Sequence, residues 1–154
     1  MSRDAHLLCP SAQPEVEDAV VFGVVSHIAG RPCVEWLKTA LPVTPDILAL
    51  TGDTPPTQVL RIAAKCQEAS CAHFDGDDCQ LAVRIVAALD PVSGECAPCA
   101  IRGDCRWFYQ ESFHICVRCP QIATYDADPG PGVREAARPR ATPANHPDSW
   151  FRAR

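Results

Sequence analysis

Long apolar runs are missing from this chain of 154 residues. The longest, Ala19 to Val25, falls far short of the roughly 20 apolar residues a helix needs to cross a bilayer, so no membrane span is expected. The residues before it, Met1 to Asp18, carry prolines and acids where an export signal would carry an apolar stretch of about 7–15 residues. The expectation is a cytoplasmic protein. Aromatic residues are scarce, with five Phe, three Trp and two Tyr against 15 Pro, which implies many turns and limited regular structure. A Walker A loop, G-x-G-x-x-G, G-x-S-x-G, H-E-x-x-H and the C-x3-C-x2-C triplet of radical enzymes are all absent, which disfavours a freestanding enzyme. A basic stripe is also lacking in the body of the chain. The net charge is -5, and the segment from Cys66 to Cys119 is itself acidic, with 4 basic and 8 acidic residues. A nucleic-acid surface needs clustered cations to displace counterions, and only the tail, with Arg134, Arg138, Arg140, Arg152 and Arg154 among prolines, offers any.

Cysteine is what the chain has in excess. Eight of its 10 cysteines, Cys66, Cys71, Cys79, Cys96, Cys99, Cys105, Cys116 and Cys119, fall within one 54-residue stretch, spaced C-x4-C-x7-C-x16-C-x2-C-x5-C-x10-C-x2-C. In a reducing compartment, cysteines so arranged are metal ligands before they are disulfides, and two C-x2-C pairs are a strong signal of this. Eight thiolates suffice for two four-cysteine sites. Such sites leave no open position for a substrate, which points to electron transfer, redox sensing or structural support rather than catalysis.

The pattern of elements suggests an α+β fold. Residues 1–18 read as a flexible leader. Residues 19–65 form a small α+β region: a β-hairpin from Ala19–Ile28 and Cys33–Leu41, a capped helix Asp46–Leu50 after Thr44-Pro45, and a helix through Val59, Leu60 and Ala63 ending at Cys66. Residues 66–125 are the cysteine-rich, metal-stapled region. There Cys79 starts a helix carrying Leu81, Ala82, Ile85, Val86 and Leu89, and Asp104 caps another from Cys105 to Ile115. Residues 126–154 read as a Pro/Arg-rich disordered tail. A helix from Cys105 to Ile115 would hold Cys105 and Cys116 about 16 Å apart, too far for one centre. Cys96, Cys99 and Cys105 would then share one site with one upstream cysteine. Cys116 and Cys119 would join the other two, with the choice among Cys66, Cys71 and Cys79 left open.

The stretch Cys96-Ala97-Pro98-Cys99-Ala100-Ile101-Arg102-Gly103-Asp104-Cys105 resembles the cluster motif of the WhiB-like iron–sulfur proteins of actinobacteria, C-x2-C followed by an Arg and a third Cys. The resemblance covers about 40 residues. It implies that Cys96, Cys99 and Cys105 ligate a [4Fe-4S] cluster together with an earlier cysteine, for which Cys66 and Cys71 lie at suitable distance. The family's Gly-Val-Trp-Gly-Gly turn is absent and Cys116-Val117-Arg118-Cys119-Pro120 is extra, so the family's transcriptional role is not carried over. The reading is therefore a small iron–sulfur protein with one or two [4Fe-4S] clusters that passes electrons to a protein partner or senses oxidant. The competing reading is a zinc-stapled interaction module. Cys96, Cys99, Cys116 and Cys119 also make C-x2-C-x16-C-x2-C, which suits zinc, and would leave Cys66, Cys71, Cys79 and Cys105, or Cys66, Cys71, His73 and Cys79, for a second site.

Around these ligands, His73 could ligate metal or tune a sulfur, against its simpler reading as a loop residue. Arg102, with Arg106 and Arg118, could offset cluster charge or form ordinary surface pairs, and His114 could donate to a sulfur or merely face solvent. Cys9 reads as a free thiol in the leader and Cys33 as a small buried hydrophobe.

Overall fold

The computed structural model describes residues 6–139, so residues 1–5 of the expected leader and residues 140–154 of the expected tail, with Arg140, Arg152 and Arg154, lie outside the described residues. The fold is α+β, with one small antiparallel sheet and several short helices. β1 is Leu8–Cys9, β2 Val20–Ile28, β3 Arg31–Pro42 and β4 Leu60–Lys65, arranged in the order β1-β4-β2-β3. The hairpin of β2 and β3 forms where the sequence places it. Its two-residue connection, Ala29 and Gly30, takes φ of 54° and 79°, the left-handed conformation that a tight hairpin turn needs to match strand twist.

A helix through Leu60 and Ala63 does not form. One turn, α2 at Pro56–Val59, gives way to β4, which pairs with β2 on one side and β1 on the other. An apolar run this short carries no periodicity that separates helix from strand. Here Leu60 to Ala63 pair with β2, Ala64 and Lys65 pair with β1, and Arg61 to Ala64 are all buried. The β2 ladders slip between Val21 and Gly23. A Cβ on Gly23 would meet Val34 Cγ1 at 2.9 Å and Arg61 Cβ at 3.5 Å, so glycine lets β3 and β4 close over the bulge.

The leader is also structured where it is described. Leu7, Pro10 and Ala12 are buried, the Ala12 amide donates to the Ile62 carbonyl at 2.9 Å, and the Cys66 amide donates to the Leu7 carbonyl at 3.0 Å. Apolar side chains at residues 7–12 cover the sheet edge, and that burial outweighs the entropy of an open end.

The first helix, α1 at Pro45–Ala49, is capped as its sequence indicates, Thr44 Oγ1 accepting from the Ile47 amide at 3.2 Å. α3 is Gln80–Ala88, α4 Arg106–Glu111, α5 Phe113–Cys116 and α6 Pro131–Ala137. α6 falls in the segment expected to be disordered. It packs on α3 because Gly132 has no side chain; a Cβ there would meet Leu89 Cδ2 at 2.8 Å and the Ala88 carbonyl oxygen at 3.0 Å. The expected continuous helix from Cys105 is broken at Ser112, which takes φ 60° and ψ -145° and ends α4 by donating its amide to the Phe108 carbonyl. Phe22, Ala63, Ala82, Ile85, Trp107 and Ile115 meet in the core between sheet and helices. Among the described residues no helix is long and apolar enough to cross a membrane.

Candidate metal centre

The structure sorts nine of the ten cysteines into two groups, one on each side of Trp107, which lines both. The upstream group consists of Cys9, Cys66, Cys71 and Cys79, which line a cavity of about 410 Å³. Each arrives on a different element: Cys9 on β1, Cys66 at the exit of β4, Cys71 after the turn Glu68–Ser70, and Cys79 as the N-cap of α3. Gln110 fixes Cys79 from both sides, accepting from its amide at 2.8 Å and donating to its carbonyl at 2.9 Å. Burial pushes the Cys9 thiol up to about 12, the Ser11 amide offsetting part of this and the neighbouring Cys79, Cys66 and Cys71 adding to it. Burial likewise raises Cys79, although the Ala82 and Leu81 amides at the helix start favour its thiolate.

Two cations and two lone donors accompany these sulfurs. Arg106, 3% exposed, pairs with Glu68 at 3.0 Å, but its Nε has no acceptor among the described residues, and neither has Trp107 Nε1. Arg84 donates to the Ala136 carbonyl at 2.8 Å and to His73 Nδ1. Burial first and the Arg84 charge second lower His73 to about 4, so its imidazole is neutral at physiological pH. A guanidinium can only donate, so Nδ1 is the acceptor and the ring proton sits on Nε2. His73 thus lines the cavity, and its amide donates to Cys71 Sγ at 3.4 Å.

The downstream group consists of Cys96, Cys99, Cys105, Cys116 and Cys119. Because the chain turns at Ser112, Cys105 and Cys116 line the same small cavity, about 30 Å³, with Cys99 and Cys119. The partition drawn from a continuous helix therefore does not hold. Cys96 hydrogen-bonds to Cys116, whose thiol is pushed up to about 12 by burial and by that neighbour, with Arg102 opposing. Burial also raises Cys99, and raises Cys105 further.

Arg61 was not singled out by sequence, since a lone arginine in an apolar run carries no motif. It is fully buried at 0% exposure. Its guanidinium donates to the Pro10 carbonyl (Nε 3.2 Å, Nη2 2.9 Å), to the Cys119 and Ile122 carbonyls (Nη1 3.1 and 3.0 Å) and to Cys119 Sγ (Nη2 3.2 Å). It also lies over the rings of Phe22 and Trp107, at 5.2 and 5.8 Å from their centroids. No carboxylate pairs with it among the described residues. Arg102 lines the same small cavity, and its Nε lacks an acceptor there.

His114 is exposed on α5 and edges against Phe113. Cys33 sits on β3 and lines neither cavity. Among the described residues, no three His, Cys, Asp or Glu side chains converge on a point that one metal ion could occupy. No protein-family model matches the chain, and no curated protein or solved structure does so either.

Proposed function

We propose that this is a small iron–sulfur protein of a reducing, cytoplasmic compartment, which carries electrons to a protein partner or senses oxidant, and that Cys99, Cys105, Cys116 and Cys119 hold a [4Fe-4S] cluster. Arg61 carries this reading. Burying a guanidinium without a counter-anion costs several kcal/mol, and such groups persist only where a charge compensates them. The acidic group in contact with Arg61 is the Cys119 thiol, and a thiol offers compensation only as a thiolate. Burial drives the neighbouring Cys99 and Cys105 thiols toward the protonated form, and a metal bound across these sulfurs would supply negative charge beside Arg61. When bound, the cluster would supply one-electron chemistry. Arg61 and Arg102 would donate to its sulfurs, and Trp107, Phe22 and Phe108 would exclude water, the two levers by which a protein sets a cluster's potential.

Zinc is the second reading, favoured by the small void between the downstream sulfurs. Tetrahedral zinc holds its sulfurs about 3.8 Å apart, given zinc–sulfur bonds near 2.3 Å. The downstream side chains would have to rearrange to reach that spacing, since no single-ion shell is preformed among the described residues. A cubane gives each thiolate its own iron, and the four side chains would have to open around it, since the void between them is about 30 Å³.

Protein purified without air from cells with ample cluster-assembly machinery is expected to be brown, to contain iron and sulfide in equal amounts, and to bleach with dithionite. Cys119→Ser is expected to lose its share of iron, and Cys33→Ser none. A colourless preparation holding zinc and no sulfide would overturn the proposal in favour of the structural module.

A further inference from the structure

The upstream cavity stands apart from the site just assigned, and four observations bear on what it is for. Its wall carries four cysteines that the fold gathers from β1, β4, a turn and α3. Cys9, furthest away in sequence, is held firmly. The pairs Leu8↔Lys65 and Cys9↔Ala64 set its register on β4, and Pro10 behind it is buried with its carbonyl accepting from Arg61. The second observation is volume. At roughly 30 Å³ of liquid per molecule, a cavity of about 410 Å³ would hold about a dozen waters, far more than a packing defect leaves. Third, two residues that line it, Arg106 and Trp107, carry buried N–H groups, Nε and Nε1, that have no acceptor among the described residues. Buried N–H groups without partners are rare in folded proteins, and these two lie on residues beside the sulfurs, where a bound group could accept from them. Fourth, Arg106 brings a cation to the cavity, and its partner Glu68 is 45% exposed, so water weakens that pair.

An occupant that satisfies all four is anionic, accepts hydrogen bonds through soft atoms, is larger than one ion and binds four thiolates. The geometry points to a second iron–sulfur cluster of the cubane class, ligated by Cys9, Cys66, Cys71 and Cys79, with Arg106 and Trp107 donating to its sulfurs. This rests on the same iron–sulfur chemistry as the downstream site but uses none of its ligands. Cys9 thereby changes from a spare thiol into the residue that completes a four-sulfur set, and the chain holds two clusters on either side of Trp107. Ligation exchanges a proton for iron at each sulfur: the S–H bond breaks, an S–Fe bond forms and the proton leaves to solvent. The cluster is delivered whole by assembly proteins, so no oxidant is required.

The test counts iron and sulfide in the full chain, purified without air from cells that overproduce the cluster-assembly proteins. The wild type is expected to hold about eight irons and eight sulfides, two cubanes' worth. Cys9→Ser is expected to lose half of both, and Cys9→Ser/Cys119→Ser nearly all, while Cys33→Ser keeps the full amount. Because Cys9 lies in a strand, Cys71→Ser provides a second variant in a partly exposed loop, with the same expected half-loss. Full iron in Cys71→Ser, or about four irons in the wild type that Cys9→Ser leaves untouched, would overturn the second cluster while the downstream one stands. Zinc bound in place of half the iron, displaced by Cys9→Ser, would overturn it too. An iron-free wild type would defeat both proposals.

Discussion

The upstream and downstream cysteine groups use the same donor atoms in different surroundings. The downstream sulfurs come from consecutive loops and short helices between residues 96 and 119 and enclose only about 30 Å³. The upstream ones come from four elements, one of them at the start of the described chain, and surround about 410 Å³. The difference separates local from long-range assembly. Downstream, short connections bring the thiols together at little loop-closure cost, so any bound group must enter as the segment packs. Upstream, the sheet must form before Cys9 meets Cys66, and the space exists once it has. Arg61 lies beneath both, bonded to the carbonyl after Cys9 and to the sulfur of Cys119.

That shared residue predicts the largest effect. Arg61→Met removes the donor to three carbonyls, those of Pro10, Ile122 and the half-buried Cys119, and is expected to cost about 3–5 kcal/mol in denaturant unfolding of the metal-free protein. A cost below about 1 kcal/mol would show that the two groups do not rest on this guanidinium. Gly132→Val acts on one side only. It drives a side chain into Leu89 and the Ala88 carbonyl and lifts α6, whose Val133 and Ala136 line the upstream cavity, at a cost of about 1–3 kcal/mol. In the metal-free protein Cys66 and Cys71 are expected to react faster with iodoacetamide, and Cys99 and Cys119 at an unchanged rate. Equal acceleration in both groups would mean that they are not separate.

How much of this could be read from the sequence follows the same division. The hairpin, the Thr44 cap and the start of α3 at Cys79 were legible because each depends on neighbours a few residues away. The downstream thiols stood out in the sequence through their C-x2-C pairs, but the cavity that Cys105 and Cys116 share did not. It depends on Ser112 taking a conformation that its side chain disfavours and that no motif announces. That Cys9 lines a cavity with Cys66, Cys71 and Cys79 was not legible, because β1 pairs with β4 across about 55 residues of chain and a two-residue strand leaves no periodic trace. Arg61 was missed for the same reason, since strand order alone puts it between the groups.

Ser112 gives a smaller and more pointed prediction. Glycine adopts positive φ without penalty, so Ser112→Gly is expected to stabilise by up to about 1 kcal/mol, whereas Ser112→Ala, which favours a continuous helix, should gain nothing. A gain from alanine that exceeds the gain from glycine would restore the unbroken helix and separate Cys105 from Cys116.

The smallest effect concerns the loop between Cys71 and Cys79, and its pH dependence has a definite sign. Burial pushes the Asp75 carboxyl up, but the Asp78 and Asp77 amides and the Gln80 side chain, which donate to it, outweigh this and lower it overall. A group held below its unfolded value contributes stability above the ordinary carboxylate range and loses it as the pH falls through the folded value. Asp75 is exposed, so water screens much of the gain, and Asp75→Ala should cost less than about 1 kcal/mol at neutral pH. The gap between wild type and variant in thermal unfolding should close as the solution is acidified. The downstream thiols, in another part of the fold, should label at the same rate in both proteins. A gap that stayed constant into strong acid would show that the charge on Asp75 does not hold this turn, leaving the upstream loop to be ordered by its sulfurs and by His73 and Arg84.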